Sequence, residues 1–226
     1  YPFLSSSANH ILDISHGYSN TSFLSGTTAH VQNAKKINIY NQMASVLVGH
    51  DATGSIQYFD EDGNIASGGR KMEEVFFINF SRLLSKDEIK KGSFTLTFLT
   101  GGYDPSSAQP NVLENPLTLG DYGGATSYFV NSPAGEYAIL YPSSSAAGDT
   151  TQAQGLLFYQ AGIAVITGSV FRYDDTGTQK TGSMMGPGFP SSSYFNLATG
   201  STIDTLAASI RNRVQNISFN NTVELN

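Results

Sequence analysis

Histidine, carboxylate, hydroxyl and tyrosine side chains are where chemistry would have to start in this chain, because it contains no cysteine and no tryptophan. Of the histidines His10, His16, His30 and His50, two flank an acid, so that His10, Asp13 and His16 recur every three residues. On a helix that spacing spreads the three around the axis, and the His-x-x-x-His pair that sets two imidazoles on one helix face does not occur. The arrangement does not read as a metal site. Asp60-Glu61-Asp62-Gly63-Asn64 places alternate carboxylates as in a loop wrapping a hard cation. The EF-hand pattern nevertheless fails, since its glycine would fall at Ile65 and its closing glutamate at Lys71, and a solvated turn is the better reading.

Nucleophilic and phosphate chemistry fare no better. No G-x-S-x-G elbow occurs, and Lys180-Thr181-Gly182 matches a penicillin-binding triplet without an S-x-x-K partner. Neither G-x-x-x-x-G-K-[ST] nor G-x-G-x-x-G is present, so the amides that cradle a phosphate are not signalled. Glu73-Glu74 and Asp174-Asp175 are acids adjacent in sequence, whereas glycoside hydrolysis depends on a separation in space that sequence does not give. These readings predict no enzyme, no catalytic residue, no metal and no cofactor. Tyr122, Tyr128, Tyr137 and Tyr141 could form a sugar-stacking platform or an interface hot spot. The plainer reading is strand tyrosines with one wet end. Asn20, Asn79, Asn216 and Asn220 each head an N-x-[ST] triplet, but Asn79 lies inside a run that must be buried, and the four read as compositional accidents.

The elements that must carry these residues centre on 37–100. Tyr40, Met43, Ala44 and Leu47, widened by Ile37 and Val48, predict one apolar helix face. Gly49 and the run Asp51-Ala52-Thr53-Gly54 end it. Val75-Phe76-Phe77-Ile78-Asn79-Phe80 is the densest apolar run and must be core. Ser85-Lys86-Asp87-Glu88 has the form of a capping box and predicts a short helix stopping at Gly92. Residues 93–100 alternate Phe94, Leu96 and Phe98 with Ser93, Thr95 and Thr97, a half-buried strand. Residues 126–131 and 135–141 read as paired strands around Ser132-Pro133-Ala134, and 156–159 with 163–171 as a β-hairpin. Ser201-Thr202-Ile203-Asp204 offers a helix start before the face Ile203, Leu206, Ala207, Ile210 and Val214, and Ile217 and Phe219 belong to a last strand. The fold class expected is α+β, with antiparallel β-hairpins and about three short helices. Residues 1–34 read as an extended N-terminal arm, with Phe3, Leu4, Phe23 and Leu24 among its anchors. Residues 35–226 read as a single domain with long loops at 101–124 and 172–193.

Length and composition bound the rest. At 226 residues the chain can bury a real core. Charged residues make up 13%, about half the usual share, so hydroxyls, amides and backbone must cover much of the surface. That suits a β-rich protein packed against neighbours, and equally a β-rich extracellular domain. A formal net charge of −6 argues against nucleic acid as partner, and no apolar run approaches the roughly 20 residues needed to cross a bilayer. The start at Tyr1 and the stop at Asn226, within what reads as a strand, suggest a processed product or a fragment.

Several stretches carry a resemblance. Asn38-Ile39-Tyr40-Asn41-Gln42-Met43-Ala44, Phe59-Asp60-Glu61-Asp62-Gly63-Asn64, Phe77-Ile78-Asn79-Phe80-Ser81-Arg82-Leu83-Leu84 and Lys86-Asp87-Glu88-Ile89-Lys90-Lys91-Gly92 are the principal ones, joined by Asn131-Ser132-Pro133-Ala134-Gly135-Glu136-Tyr137 and Phe219-Asn220-Asn221-Thr222. This wording resembles virion structural proteins of T4-like marine myoviruses, cyanophages among them. The resemblance spans most of the chain but includes no catalytic signature, and no functional residue transfers with it. It implies a structural subunit of a tailed-phage virion, in the contractile tail at baseplate or neck. The particle would be assembled in the host bacterial cytoplasm, with other virion proteins and copies of the chain itself as partners. A receptor- or carbohydrate-binding module on the virion is the alternative. The candidate interface residues are Phe3, Leu4, Phe23, Leu24, Tyr122, Tyr128, Tyr137 and Phe189.

Overall fold

The computed structural model describes residues 12–26, 31–65, 68–80, 88–99, 103–104, 109–110, 116–144, 148–171, 198 and 201–222. Its strands in chain order are β1 (Asp13–Tyr18), β2 (Glu74–Asn79), β3 (Glu88–Ile89), β4 (Thr95–Leu99), β5 (Tyr103–Asp104), β6 (Gln109–Pro110), β7 (Pro116–Gly120), β8 (Phe129–Ser132), β9 (Gly135–Pro142), β10 (Gly155–Phe158), β11 (Ile163–Thr167), β12 (Val214–Ser218) and β13 (Asn221–Thr222). The helices are α1 (Val31–Leu47) and α2 (Ile203–Arg211). The protein is mainly antiparallel β-sheet with few helices.

Alternation along β2 decides the architecture. Period two sends Phe76 and Ile78 to one face and Val75 and Phe77 to the other. All four are buried, so the strand needs a cover on both sides. The same split runs through β9, where Ala138 and Leu140 face one way and Tyr137, Ile139 and Tyr141 the other. It recurs in β10, with Leu157 opposed to Leu156 and Phe158, and in β11, with Ala164 and Ile166 opposed to Val165.

The main sheet runs β1-β2-β11-β10-β9-β7-β4-β12, with β8 paired to β9 beside this path. Every pairing within it is antiparallel. Four strands separate β2 from β4, yet Phe76 and Phe98 both meet the ring of Phe171 edge-on, at centroid distances of 4.8 and 5.8 Å. The sheet therefore curls until distant strands share one interior. Leu206, Ala207 and Ile210 of α2 join that concave core. Tyr40, Ala44 and Leu47 of α1 cover the convex face, together with Phe59, Ile65 and Met72 from the connection that follows the helix. The Tyr40 hydroxyl, buried within this packing, donates to the Met72 carbonyl at 2.9 Å.

Local chemistry sets the element ends. The Thr202 side chain accepts from the Thr205 amide at 3.2 Å, capping α2, with Asp204 in the first turn and Arg211 in the last, each sign suited to the helix dipole. Helix α1 lies on β1 through Gly17. A Cβ there would stand 2.8 Å from the Tyr40 amide nitrogen and 2.9 Å from the Lys36 carbonyl oxygen, so only glycine lets the helix backbone approach this closely.

Six expectations need correction. Of the stretch 1–34, the described residues are not an arm: β1 pairs along β2, Leu24 is fully buried, and α1 starts at Val31. The polar composition of β1 hid the strand, because Ser15, His16 and Gly17 do not look apolar. Glu88 and Ile89 form β3 rather than a helical turn. Their backbone pairs with β13, and the Ile89 amide donates to Tyr159 O at 3.4 Å, with the next amide, Lys90, donating to Asn220 O at 2.7 Å; Ser85 to Asp87 lie outside the described residues. The loop 101–124 contains β7, whose Leu117 and Leu119 enter the core; Pro116 fits as the first residue of that strand. The strand ending at residue 171 stops at Thr167 and turns into a 3-10 helix (Gly168–Phe171), and Val214 begins β12 instead of extending α2. In place of three short helices, the described residues hold two α-helices, one of them 17 residues long, and three 3-10 turns.

Gly17→Ala will destabilise the protein by about 1–3 kcal/mol, the range for overpacking a tight contact. Urea denaturation checks this. Gly26→Ala, where a new Cβ meets nothing closer than 4.0 Å, stays within about 0.5 kcal/mol of the parent.

Candidate functional site

The end of β1 and the start of β2 lie side by side, with Tyr18 opposite Glu74 and His16 opposite Phe76. The His16 ring is fully buried, 4.5 Å from the Phe76 ring centroid, and its Nε2 is 3.0 Å from Glu74 Oε1 on the diagonal. Nδ1 has no hydrogen-bond partner. A protonated imidazole would strand a buried N–H there, so His16 is neutral and donates through Nε2. Burial holds its pKa below the ordinary value, against the opposing pull of the Glu74 carboxylate, and the charge of Lys36 adds to the depression.

Lys36 is fully buried one helix face away. Its Nζ donates to the carbonyls of Ala198, at 2.5 Å, and Ser201, at 2.7 Å, tying α1 to the entry of α2. Burial lowers this amine to about 8, with Glu74 pulling the other way. The Tyr18 hydroxyl donates to Asn33 Oδ1 at 2.6 Å, and burial pushes it up to about 12.

Glu74, its carboxylate buried, lies beneath a cleft of about 490 Å³. Its carboxyl end rests against Gly168, where any side chain would overlap it. Ser22 and Phe23, from the 3-10 turn after β1, make one wall of the cleft, and Gln152 and Gln154, ahead of β10, make the other. The rim is held by charge. Arg70 lies 2.7 Å from Glu61 and donates to the carbonyls of Thr150 and Thr151 at 3.0 and 3.1 Å. Lys71 lies 2.5 Å from Asp60, a buried carboxylate that desolvation pushes up while Lys71 opposes the shift. Because the His16 ring is sealed from solvent, it orients Glu74 and does not itself meet a ligand. The cleft is lined by both hydrogen-bond acceptors and donors. Among the described residues, no group of three His, Cys, Asp or Glu side chains is placed to hold a metal ion.

A further buried carboxylate, Asp121, serves the fold. Its Oδ2 accepts from the Gly92 amide at 2.7 Å and the Tyr159 hydroxyl at 2.8 Å, and its Oδ1 accepts from the Phe94 amide at 2.9 Å. Burial raises its pKa while those donors oppose the shift.

The sequence-predicted residues do not gather at one place. Tyr137 is fully buried between the rings of Phe129 and Phe158, at 5.1 and 5.2 Å, and its hydroxyl donates toward Gly63 O and Asn131 Oδ1. It is not a contact residue, and with Tyr141 also buried the four-tyrosine platform dissolves. Leu24 is likewise core, where it anchors its turn. Phe23 stands exposed at the cleft, Tyr122 and Tyr128 remain half-exposed, and Tyr128 lies under the Lys91 ammonium at 4.8 Å. Phe3, Leu4 and Phe189 lie outside the described residues, as do His10, His30, Asp174, Asp175 and Lys180. His50 is exposed. The sequence reading missed the His16–Glu74 pair, whose partners are 58 residues apart. The available signal was a histidine and one of two adjacent acids in short runs far apart in the chain.

No protein-family model, curated protein or solved structure matches the chain.

Because His16 stays neutral in the fold but takes a proton at pH 6.5 when unfolded, the unfolded state binds more protons as pH falls through that value. Stability therefore drops from pH 6.5 toward 5. Urea midpoints measured across that range will show the slope, and His16→Gln will flatten it.

Proposed function

We propose that the chain is a structural subunit of a tailed-bacteriophage virion, in the contractile tail at baseplate or neck. It assembles through protein–protein interfaces with other virion proteins and with copies of itself. The resemblance in sequence supports the particle, and strand β8 supports the mode of assembly. One edge of β8 pairs with β9 through a register shift between Phe129 and Ser132, and among the described strands none pairs with its other edge. Phe129 turns inward onto Tyr137, leaving Val130 69% exposed and Tyr128 42% exposed. Val46, 64% exposed, lies in the last turn of α1, which the Ser132 hydroxyl ties to β8 by donating to the Leu47 carbonyl.

An edge strand with apolar side chains is a template for main-chain pairing with another chain. The observation that carries the proposal is this exposed apolar group on an edge, in a chain whose surface has few charges to keep neighbours away. Phe3 and Leu4, ahead of β1, together with the segments 101–115 and 172–193, are proposed as further contacts with neighbouring subunits. Assembly of this kind calls for no cofactor, no nucleic acid and no membrane insertion.

Two measurements test the proposal. Mass spectrometry and reconstruction of purified particles will place the chain at regular, repeated positions; its absence from particles would refute the role. Val130→Lys, which adds a charge to the free edge, will keep the circular dichroism of the parent while cutting incorporation into particles at least about tenfold, the effect of losing roughly 1.4 kcal/mol at one contact.

A further inference from the structure

We propose that the cleft above Glu74 binds a neutral saccharide. The first observation is Phe23, which is 51% exposed on a turn built to hold it. Ser22 Oγ accepts from the Leu24 amide at 3.3 Å, Ser25 Oγ donates to Asn20 O and Ser22 O at 2.7 Å each, and Leu24 is buried beneath. An aromatic ring fixed at the mouth of a polar cleft offers the apolar C–H face of a sugar ring a surface to stack on. The stiffness of the turn lowers the entropy cost of that contact.

The second observation is the lining. A sugar hydroxyl both donates and accepts, so its site must hold acceptors beside groups that do both. Glu73 supplies a carboxylate, Gln152 and Gln154 supply amides, and Thr167 and Ser169 supply hydroxyls 3.2 Å apart. Glu73 is oriented by the Thr21 hydroxyl at 3.1 Å.

The third observation counts against an acidic ligand. Both cations of the lining are committed, Arg70 to Glu61 and Lys71 to Asp60. The Glu73 carboxylate in the lining would repel a sulfated, phosphorylated or uronic sugar. A second cleft of about 570 Å³ is also lined by Lys71 and carries Asn20, Asn41, Gln57 and Tyr58.

The test is saturation-transfer and amide-shift NMR on the whole chain, with maltotriose, cellotriose and chitotriose as neutral probes and trigalacturonate as the acidic one. At about 10 mM, above the millimolar affinity expected of a shallow site, at least one neutral probe will bind and shift amides around Phe23 and residues 151–154. Phe23→Ala will weaken that binding at least about tenfold, equivalent to about 1.4 kcal/mol, and Gln152→Ala, on the exposed opposite wall, will weaken it too. Tyr128→Ala, on the assembly edge, will leave it unchanged, which separates this site from the subunit role. Absence of binding by every neutral probe, binding of trigalacturonate alone, or neutral binding indifferent to both cleft substitutions would each overturn the proposal.

Discussion

Burial of the central strands on both faces is the constraint from which the rest of this structure follows. Once β2, β9, β10 and β11 place large apolar groups above and below the sheet, neither face can meet water, and two separate covers are needed. The chain meets the demand in two ways. On one side it lays α1 and the connection after it across the sheet. On the other it curls the sheet and closes the hollow with α2. The abundance of glycine, serine and threonine and the shortage of charge belong to the same solution, since strands covered on both faces leave few positions for a charged side chain.

The second consequence concerns the polar groups enclosed by this arrangement. A buried polar atom costs free energy unless it is bonded, and here the bonded ones join elements far apart in sequence. Lys36 links α1 to the carbonyls before α2, His16 and Glu74 link the first two strands of the sheet, and Asp121 gathers Gly92, Phe94 and Tyr159. Each sits where two covers or two strands must keep register. Apolar packing tolerates small slips that such a bond does not.

These same groups mark what could be read from the sequence. The β2 run, the 94–98 alternation, the hairpins around Pro133 and Gly162 and the faces of both helices are legible, because each is a local period of apolar residues. Strand β1 is not, since its buried members include histidine and glycine, which become core residues only beside Glu74 and Tyr40. Strand β7 was masked by flanking prolines and glycines that mark it as loop by composition. The tyrosines misled for a related reason: four rings close in sequence look like one surface, but strand alternation and the turn at Pro133 send Tyr137 and Tyr141 inward and leave Tyr122 and Tyr128 on the outside. The cleft could not be read at all, because its walls come from residues near 22, 73, 152 and 168, and only the sheet order makes them neighbours.

Arg70 gives the cleft a property that its buried floor does not share. One guanidinium bridges Glu61 and the two carbonyls at Thr150 and Thr151, and it does so with most of its own surface in water. Counter-ions screen an exposed bridge of this kind, whereas the pairs beneath are shielded from them. Dissolved salt therefore acts on the entrance alone: in dilute buffer the two lips are clasped, and in brine the clasp loosens while the floor keeps its shape.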